Sequence, residues 1–290
     1  MSFYTKISTR FFGRLVEPHL DYFSELKKNL KIARMGISLE EYLSTALMTS
    51  LLVFMFELPI LAFIFAFLKP ESWIFGFTTA VTISITIPLV IFILFINYPR
   101  IKIEEKRRKI ENDLPFATLH LSTIASSDIS PSSILKIFSK FKEFGEVTKE
   151  IKSIVGEAEL FGIDINTAIE RGAERIPSKS MKEVLWGMLS TIRAGGKLSS
   201  FLREKSKSLL EEYRRKLYEF SHNLTIYIEI YLTALVIGAI FFTIITAVMS
   251  GIVGGGAGIL FLQFFLIFIL LPVVSIAFII LIRKTSPGGV

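Results

Sequence analysis

Four long apolar stretches divide the chain, at residues 46–68, 73–97, 226–249 and 259–282. Each is long enough to cross a bilayer, which takes about 20 residues of helix. Between the second and third lies a polar segment of a different kind, residues 98–225. Its apolar positions recur at helical spacing, and nowhere does a strand period persist. Leu114, Ala117, Leu121, Ile124 and Ala125 make one such face. The pattern predicts an all-α integral membrane protein with four transmembrane helices plus a cytoplasmic helical-hairpin bundle.

Start and stop signals subdivide the polar segment. Ser130-Pro131 reads as an N-cap followed by proline at the first helical position. A helix from about Glu146 to Phe161 should stop at Gly162. Asp164 or Asn166 caps the next, which Ile176-Pro177 ends. The stretch Ser180 to Ala194 should halt at Gly195-Gly196. No proline or glycine interrupts Ser199 to Val236. That predicts one long helix running into the third span.

An internal echo supports hairpins. Leu121-Ser-Thr-Ile124 precedes a polar turn and Ser132-Ser-Ile-Leu135. Leu189-Ser-Thr-Ile192 precedes Arg-Ala-Gly-Gly-Lys-Leu and then Ser199-Ser-Phe-Leu202. A looser copy begins at Glu157 and returns at Ile163–Ile169. Each is an apolar helix, a tight turn and a capped helix, the signature of an αα-hairpin.

Composition agrees with a membrane class. The 290 residues are 51% hydrophobic, with 27 phenylalanines and a mean hydropathy of +0.56. Charged residues crowd into residues 1–45 and 98–225. The first block carries Lys6, Arg10, Arg14, Lys27, Lys28, Lys31 and Arg34; the second has 23 basic and 18 acidic side chains. The short loop Lys69–Ser72 has one basic residue, and the glycine-rich run Gly251–Gly258 has none. The tail 283–290 begins Arg283-Lys284. By the positive-inside rule, both termini and the central domain should be cytoplasmic. Residues 1–45 form a cytoplasmic amphipathic region with no signal-peptide pattern.

Candidate chemistry is sparse. With no cysteine and three dispersed histidines (His19, His120, His222), neither a disulfide nor a metal site is expected. Gly195-Gly-Lys197 is followed by Leu198 between helices, so it is not a phosphate loop. No catalytic or cofactor-binding residue is identified. The basic domain interleaves its charges with acids and has no stacking aromatics along a basic stripe, so no nucleic-acid partner is expected. The intramembrane polar residues are Glu57, two positions before Pro59, and Glu229, near the cytoplasmic end of the third span. A carboxylate at the depth of Glu57 should face the bundle interior. It is the one feature that suits a transporter or channel subunit. Gln263 offers an interhelical partner in the fourth span.

One set of residues is more specific. Asp113-Leu-Pro115 opening an amphipathic helix, Gly162 followed by Ile165 and Ala168-Ile169, Pro177, and Gly195-Gly196-Lys-Leu198-Ser-Ser-Phe-Leu202 resemble the type II secretion system F-domain family. These are platform proteins of type IV pilus, Tad pilus, archaellum and secretion machines. The resemblance covers about residues 110–235, and the order of apolar pair, domain and apolar pair fits as well. Ser126-Ser-Asp-Ile stands where the family's first turn has glycine; a Ser/Asp turn can do the same geometric work. The resemblance implies a non-enzymatic platform with a cytoplasmic secretion ATPase and pilin subunits as partners. A single F domain implies a homodimer, or a heterodimer with a related platform protein.

Overall fold

The computed structural model describes residues 3–68, 73–253 and 257–285. The loop at 69–72, the centre of the glycine run at 254–256 and the tail from 286 lie outside them. Among the described residues there are helices and turns and no strand. The protein is an all-α membrane protein, and four of its helices are long and apolar enough to cross a membrane. The chain divides into two compact units. The first is Met1–Glu111 with Ser139–Ser190, and the second is Asn112–Phe138 with Thr191–Val290.

In the first unit, α1 (Phe3–Val16), a 3₁₀ turn (Glu17–Phe23) and α2 (Ser24–Ile32) precede α3 (Leu39–Leu68). The helix α3 begins seven residues before its apolar stretch because Ser38 and Glu41 cap it reciprocally. The Glu41 amide donates to Ser38 Oγ (3.2 Å), and the Ser38 amide donates to Glu41 Oε2 (3.0 Å). Helix α1 lies antiparallel on α3. Tyr4 Oη meets Thr49 Oγ1 at 2.9 Å, and Ser8 Oγ meets Thr45 Oγ1 at 3.2 Å. Both pairs have the same index sum, so the two helices stay in register over the turn between them. Val16, Leu26, Leu30, Tyr42 and Leu43 close a small core beneath this packing.

Helix α4 (Trp73–Ala125) is 53 residues long and carries the chain out of the second apolar stretch without a break. It passes through Pro88, Pro99 and Pro115. The sequence reading expected a helix to open at Asp113-Leu-Pro115; instead these residues lie inside α4. An Asp–Pro pair is a start signal only when the preceding turn is not already helical, and here the charged run 100–111 is. A proline leaves the carbonyl four residues earlier without its donor. At Pro99 that carbonyl is Phe95 O, and Tyr42 Oη donates to it at 2.7 Å. Thus α3 repairs the defect in α4.

The rest of the first unit holds α6 (Gly145–Phe161) and α7 (Ile165–Arg175), an antiparallel hairpin, and most of α8 (Lys179–Arg193). Asp164 caps α7, accepting from the Asn166 amide at 3.0 Å. Gly172 on α7 lies against Ile154 on α6 so closely that a Cβ there would come within 2.5 Å of Ile154 Cγ1.

In the second unit, the end of α4 turns into α5 (Pro131–Phe138), capped by Ser130 Oγ, which accepts from the Ser133 amide. The glycine-free turn between them places Asp128 at φ +55°. Aspartate tolerates this left-handed conformation better than most residues. Helix α9 (Leu198–Tyr231) continues through a π-helical stretch (Leu232–Ile237) into α10 (Gly238–Val253). Phe116 of α4 packs edge-on against Tyr213 of α9, with centroids 5.5 Å apart. Helix α11 (Ala257–Phe265), a second π stretch (Leu266–Leu270) and α12 (Leu271–Thr285) complete the chain. Gln263 Nε2 donates to Thr246 Oγ1 at 2.8 Å, and Tyr231 Oη pairs with Ser275 Oγ at 2.9 Å. These are interhelical hydrogen bonds within apolar surroundings.

Candidate functional site

The strongest concentration of buried charge lies in the first unit, outside the apolar stretches. Glu150 sits on the inner face of α6 and is 3% exposed. Two cations hold it. Arg34 Nη2 approaches Glu150 Oε2 at 2.7 Å, and Lys106 Nζ approaches Oε1 at 2.5 Å. Arg34 follows α2 with φ +51°, a turn conformation that aims its side chain out of the N-terminal segment. Lys106 comes from α4. Three separated segments therefore meet on one carboxylate. Removing a carboxylate so placed leaves two cations facing each other, which is a far larger penalty than breaking an exposed pair.

A cleft of about 280 Å³ adjoins this joint. Lys109 pairs with Glu105 at 2.6 Å, and Lys149 pairs with Glu146 at 2.6 Å. The Lys109 ammonium lowers the pKa of Glu105. On the same helix, Arg107 binds Glu104 at 2.5 Å and reaches Glu111 at 3.3 Å. The Arg107 guanidinium holds the Glu104 carboxyl below the usual range. This i,i+3/i,i+4 ladder is what allows α4 to persist as a polar helix beyond its apolar part.

Gly162, Pro177, Gly195 and Gly196 occupy helix ends and turns, Asp113 and Pro115 lie inside α4, and none of the six lines the cleft. Gly162 closes α6 at φ +64°, and Gly195 follows α8 at φ +68°, conformations that cost a side chain dearly. The Gly196 amide then donates to Thr191 O at 2.9 Å. Pro177 stands between Ile176, which ends α7, and Ser178, whose Oγ accepts from the Met181 amide to start α8. Pro115 is buried and Asp113 half-buried within α4; burial pushes the Asp113 carboxyl above its ordinary range. Glu57 lies in α3, and both its carboxylate oxygens are buried without a hydrogen-bond partner. Glu229 is exposed near the end of α9. No group of three metal-ligating side chains occurs among the described residues. Sequence reasoning missed Glu150, whose charge looks like any other on an amphipathic helix. Its only local signal is position: it shares a face with Val147, Ile151 and Ile154, which are all buried.

Residues 117–247 match the family model described as Type II secretion system (T2SS), protein F. This segment is a type II secretion F domain. It takes in the turns at Asp128, Gly162 and Gly195 and runs on into α10. Among curated proteins, the chain is 28% identical over 145 residues to Uncharacterized protein MJ1286 of Methanocaldococcus jannaschii, covering 50% of this chain and 24% of that one. It is 25% identical over 154 residues to Flagella accessory protein J of the same organism, covering 53% of this chain and 27% of that protein. The matches thus span about a quarter of these relatives' length. No solved structure matches the chain. The matched segment begins after the second apolar stretch and ends inside the third, and with four apolar helices the chain is a multi-pass membrane protein.

Proposed function

We propose that this protein is a non-enzymatic membrane platform of a pilus- or archaellum-like assembly machine. A cytoplasmic secretion ATPase acts on its F domain, and the motion is passed to pilin subunits entering the filament. Both termini and the F domain face the cytoplasm, where the basic residues of 1–45 and 98–225 are retained. The spans are residues 46–68, 73–97, 226–249 and 259–282, flanking the F domain at 98–225. The observation that carries the reading is the uninterrupted helix from Leu198 through the π stretch to Ile252. The last extramembrane helix of the F domain is also the start of the third span. A displacement at its base therefore reaches the bilayer without crossing a loop. The resemblance to a Flagella accessory protein adds the filament context.

The test is capture of the cognate ATPase by the detergent-solubilised protein at low salt, with filament formation in a deletion strain. Binding together with lost filaments supports the reading; no binding together with normal filaments overturns it. A single F domain further implies a homodimer or a pair with a related chain. Recovering only monomers after crosslinking in membranes would remove that part.

One observation favours a second reading. The unpaired carboxylate of Glu57 within α3 suits a transporter or channel subunit. That reading expects flux in proteoliposomes which Glu57→Gln abolishes. No flux in the wild type, with filaments intact in Glu57→Gln, excludes it.

A further inference from the structure

We propose that the cleft beside Glu150 binds a phosphate-bearing anion at the membrane surface. Five cations line it (Arg34, Lys102, Lys106, Lys109 and Lys149) against three carboxylates, leaving a net charge of +2. The charges are unevenly spent. Arg34 and Lys106 share the single Glu150 carboxylate, so one positive charge there is uncompensated. The exposed Lys102 reaches only into the field of Glu105, which Lys109 already neutralises.

The remaining pairs are easily redirected. Lys109 and Glu105 are 58% and 61% exposed, and Lys149 is 69% exposed. Exposed pairs of this kind are only weakly held, so their ammonium groups can turn to a ligand at little cost. The half-enclosed cleft strengthens a charge–charge attraction relative to open water. Its walls come from α4, α6 and the turn after α2, so several donors converge on one volume and not along a flat stripe.

Position narrows the ligand. Lys102 lies five residues beyond Asn97, about 7.5 Å along the helix axis at 1.5 Å per residue. With 73–97 in the bilayer, that is the outer edge of the headgroup layer, about 5–7.5 Å deep on each side, and Lys106 and Lys109 stand further out on the solvent side. A phosphate there comes either from an anionic phospholipid or from solution. The proposal is independent of the platform reading.

The test uses the full chain in detergent. In one arm, native mass spectrometry follows adducts with phosphatidylglycerol and with phosphatidylcholine. In the other, thermal unfolding is compared in inorganic phosphate and in chloride at matched ionic strength. The variants are Lys102→Glu/Lys149→Glu and the milder Lys102→Gln/Lys149→Gln. Lys207→Glu/Arg214→Glu on α9 is a control of equal charge change, and helicity is checked by circular dichroism. A phosphatidylglycerol adduct retained by wild type and control and weakened about tenfold in the cleft variants supports a lipid headgroup. A phosphate-specific rise in melting temperature lost in the same variants supports a soluble source. Equal behaviour of wild type and the folded glutamine variant in both arms overturns the proposal, as does an equal loss in the control.

Discussion

Single side chains here do work that their residue types do not announce. Tyr42 fills the hydrogen-bond defect that Pro99 leaves in α4, donating to Phe95 O at 2.7 Å. Tyr42→Phe keeps the ring and its packing yet leaves a half-buried carbonyl unpaired. The expected loss is about 1–3 kcal/mol of stability, read as a lower unfolding midpoint in detergent. Unchanged stability would mean that water already serves that carbonyl. Asp113 makes a prediction of opposite sign. Burial raises its pKa, so the folded state holds the proton more tightly than the unfolded chain. Its contribution is fully present below the unfolded value, near 4, and is lost as pH rises through the folded value. Glu104 and Glu212 are lowered by Arg107 and Lys216. They stabilise above the unfolded carboxylate range and lose that contribution as pH falls. Asp113→Asn therefore gains stability at pH 7, and its advantage over wild type vanishes on acidification. A loss at pH 7 would show that the carboxylate makes a favourable contact.

At the scale of elements, the hairpin α6–α7 shows what a sequence reveals and what it conceals. Gly162 was legible because it meets a local need, a left-handed turn, and the N-cap was narrowed to Asp164 or Asn166, of which Asp164 caps the helix. Gly172 was not legible, because its reason lies on the other helix. A Cβ at Gly172 would sit 2.5 Å from Ile154 Cγ1. Gly172→Ala gains helix propensity of up to about 1 kcal/mol but overpacks this contact, at a typical cost of about 1–3 kcal/mol. We expect net destabilisation. The double variant Gly172→Ala/Ile154→Ala should recover part of it, since the substitutions share one volume. Strict additivity in chemical unfolding would locate the strain elsewhere. The four apolar stretches, the cap at Ser130 and the stop at Gly195 were likewise readable from local pattern. The continuity of α4 was not. Asp113-Leu-Pro115 carries the signals of a helix start, but the ion-paired run before it already holds the helix, so tertiary and i,i+4 contacts override the signal. The Arg34–Glu150–Lys106 joint was illegible for the same reason, since it joins residues 116 positions apart.

At the scale of the whole molecule, the question is whether helix continuity carries the coupling. Helix α9 is exposed for much of its polar length, and Arg215 is 70% exposed with a long i,i+4 pair to Glu219 at 3.7 Å. Arg215→Ala removes that weak pair and should change little. Arg215→Pro removes a main-chain hydrogen bond and crowds the preceding turn, at about 3 kcal/mol or more locally. It leaves the F-domain turns and the spans intact in sequence. If motion passes along α9, Arg215→Pro protein inserts, still captures the ATPase and yet fails to support filaments, while Arg215→Ala assembles them normally. Normal filaments with Arg215→Pro would mean that force travels by another route. The other helix that leaves the membrane unbroken is α4, tied to α6 through Lys106 and Glu150. The same assay on Glu150→Gln, which keeps the shape and removes the charge, then decides between the two paths. Lost filaments with retained ATPase capture assign the coupling to α4 and its tie to α6, and normal filaments in both variants remove the continuity of α9 and the Glu150 joint as the means of coupling.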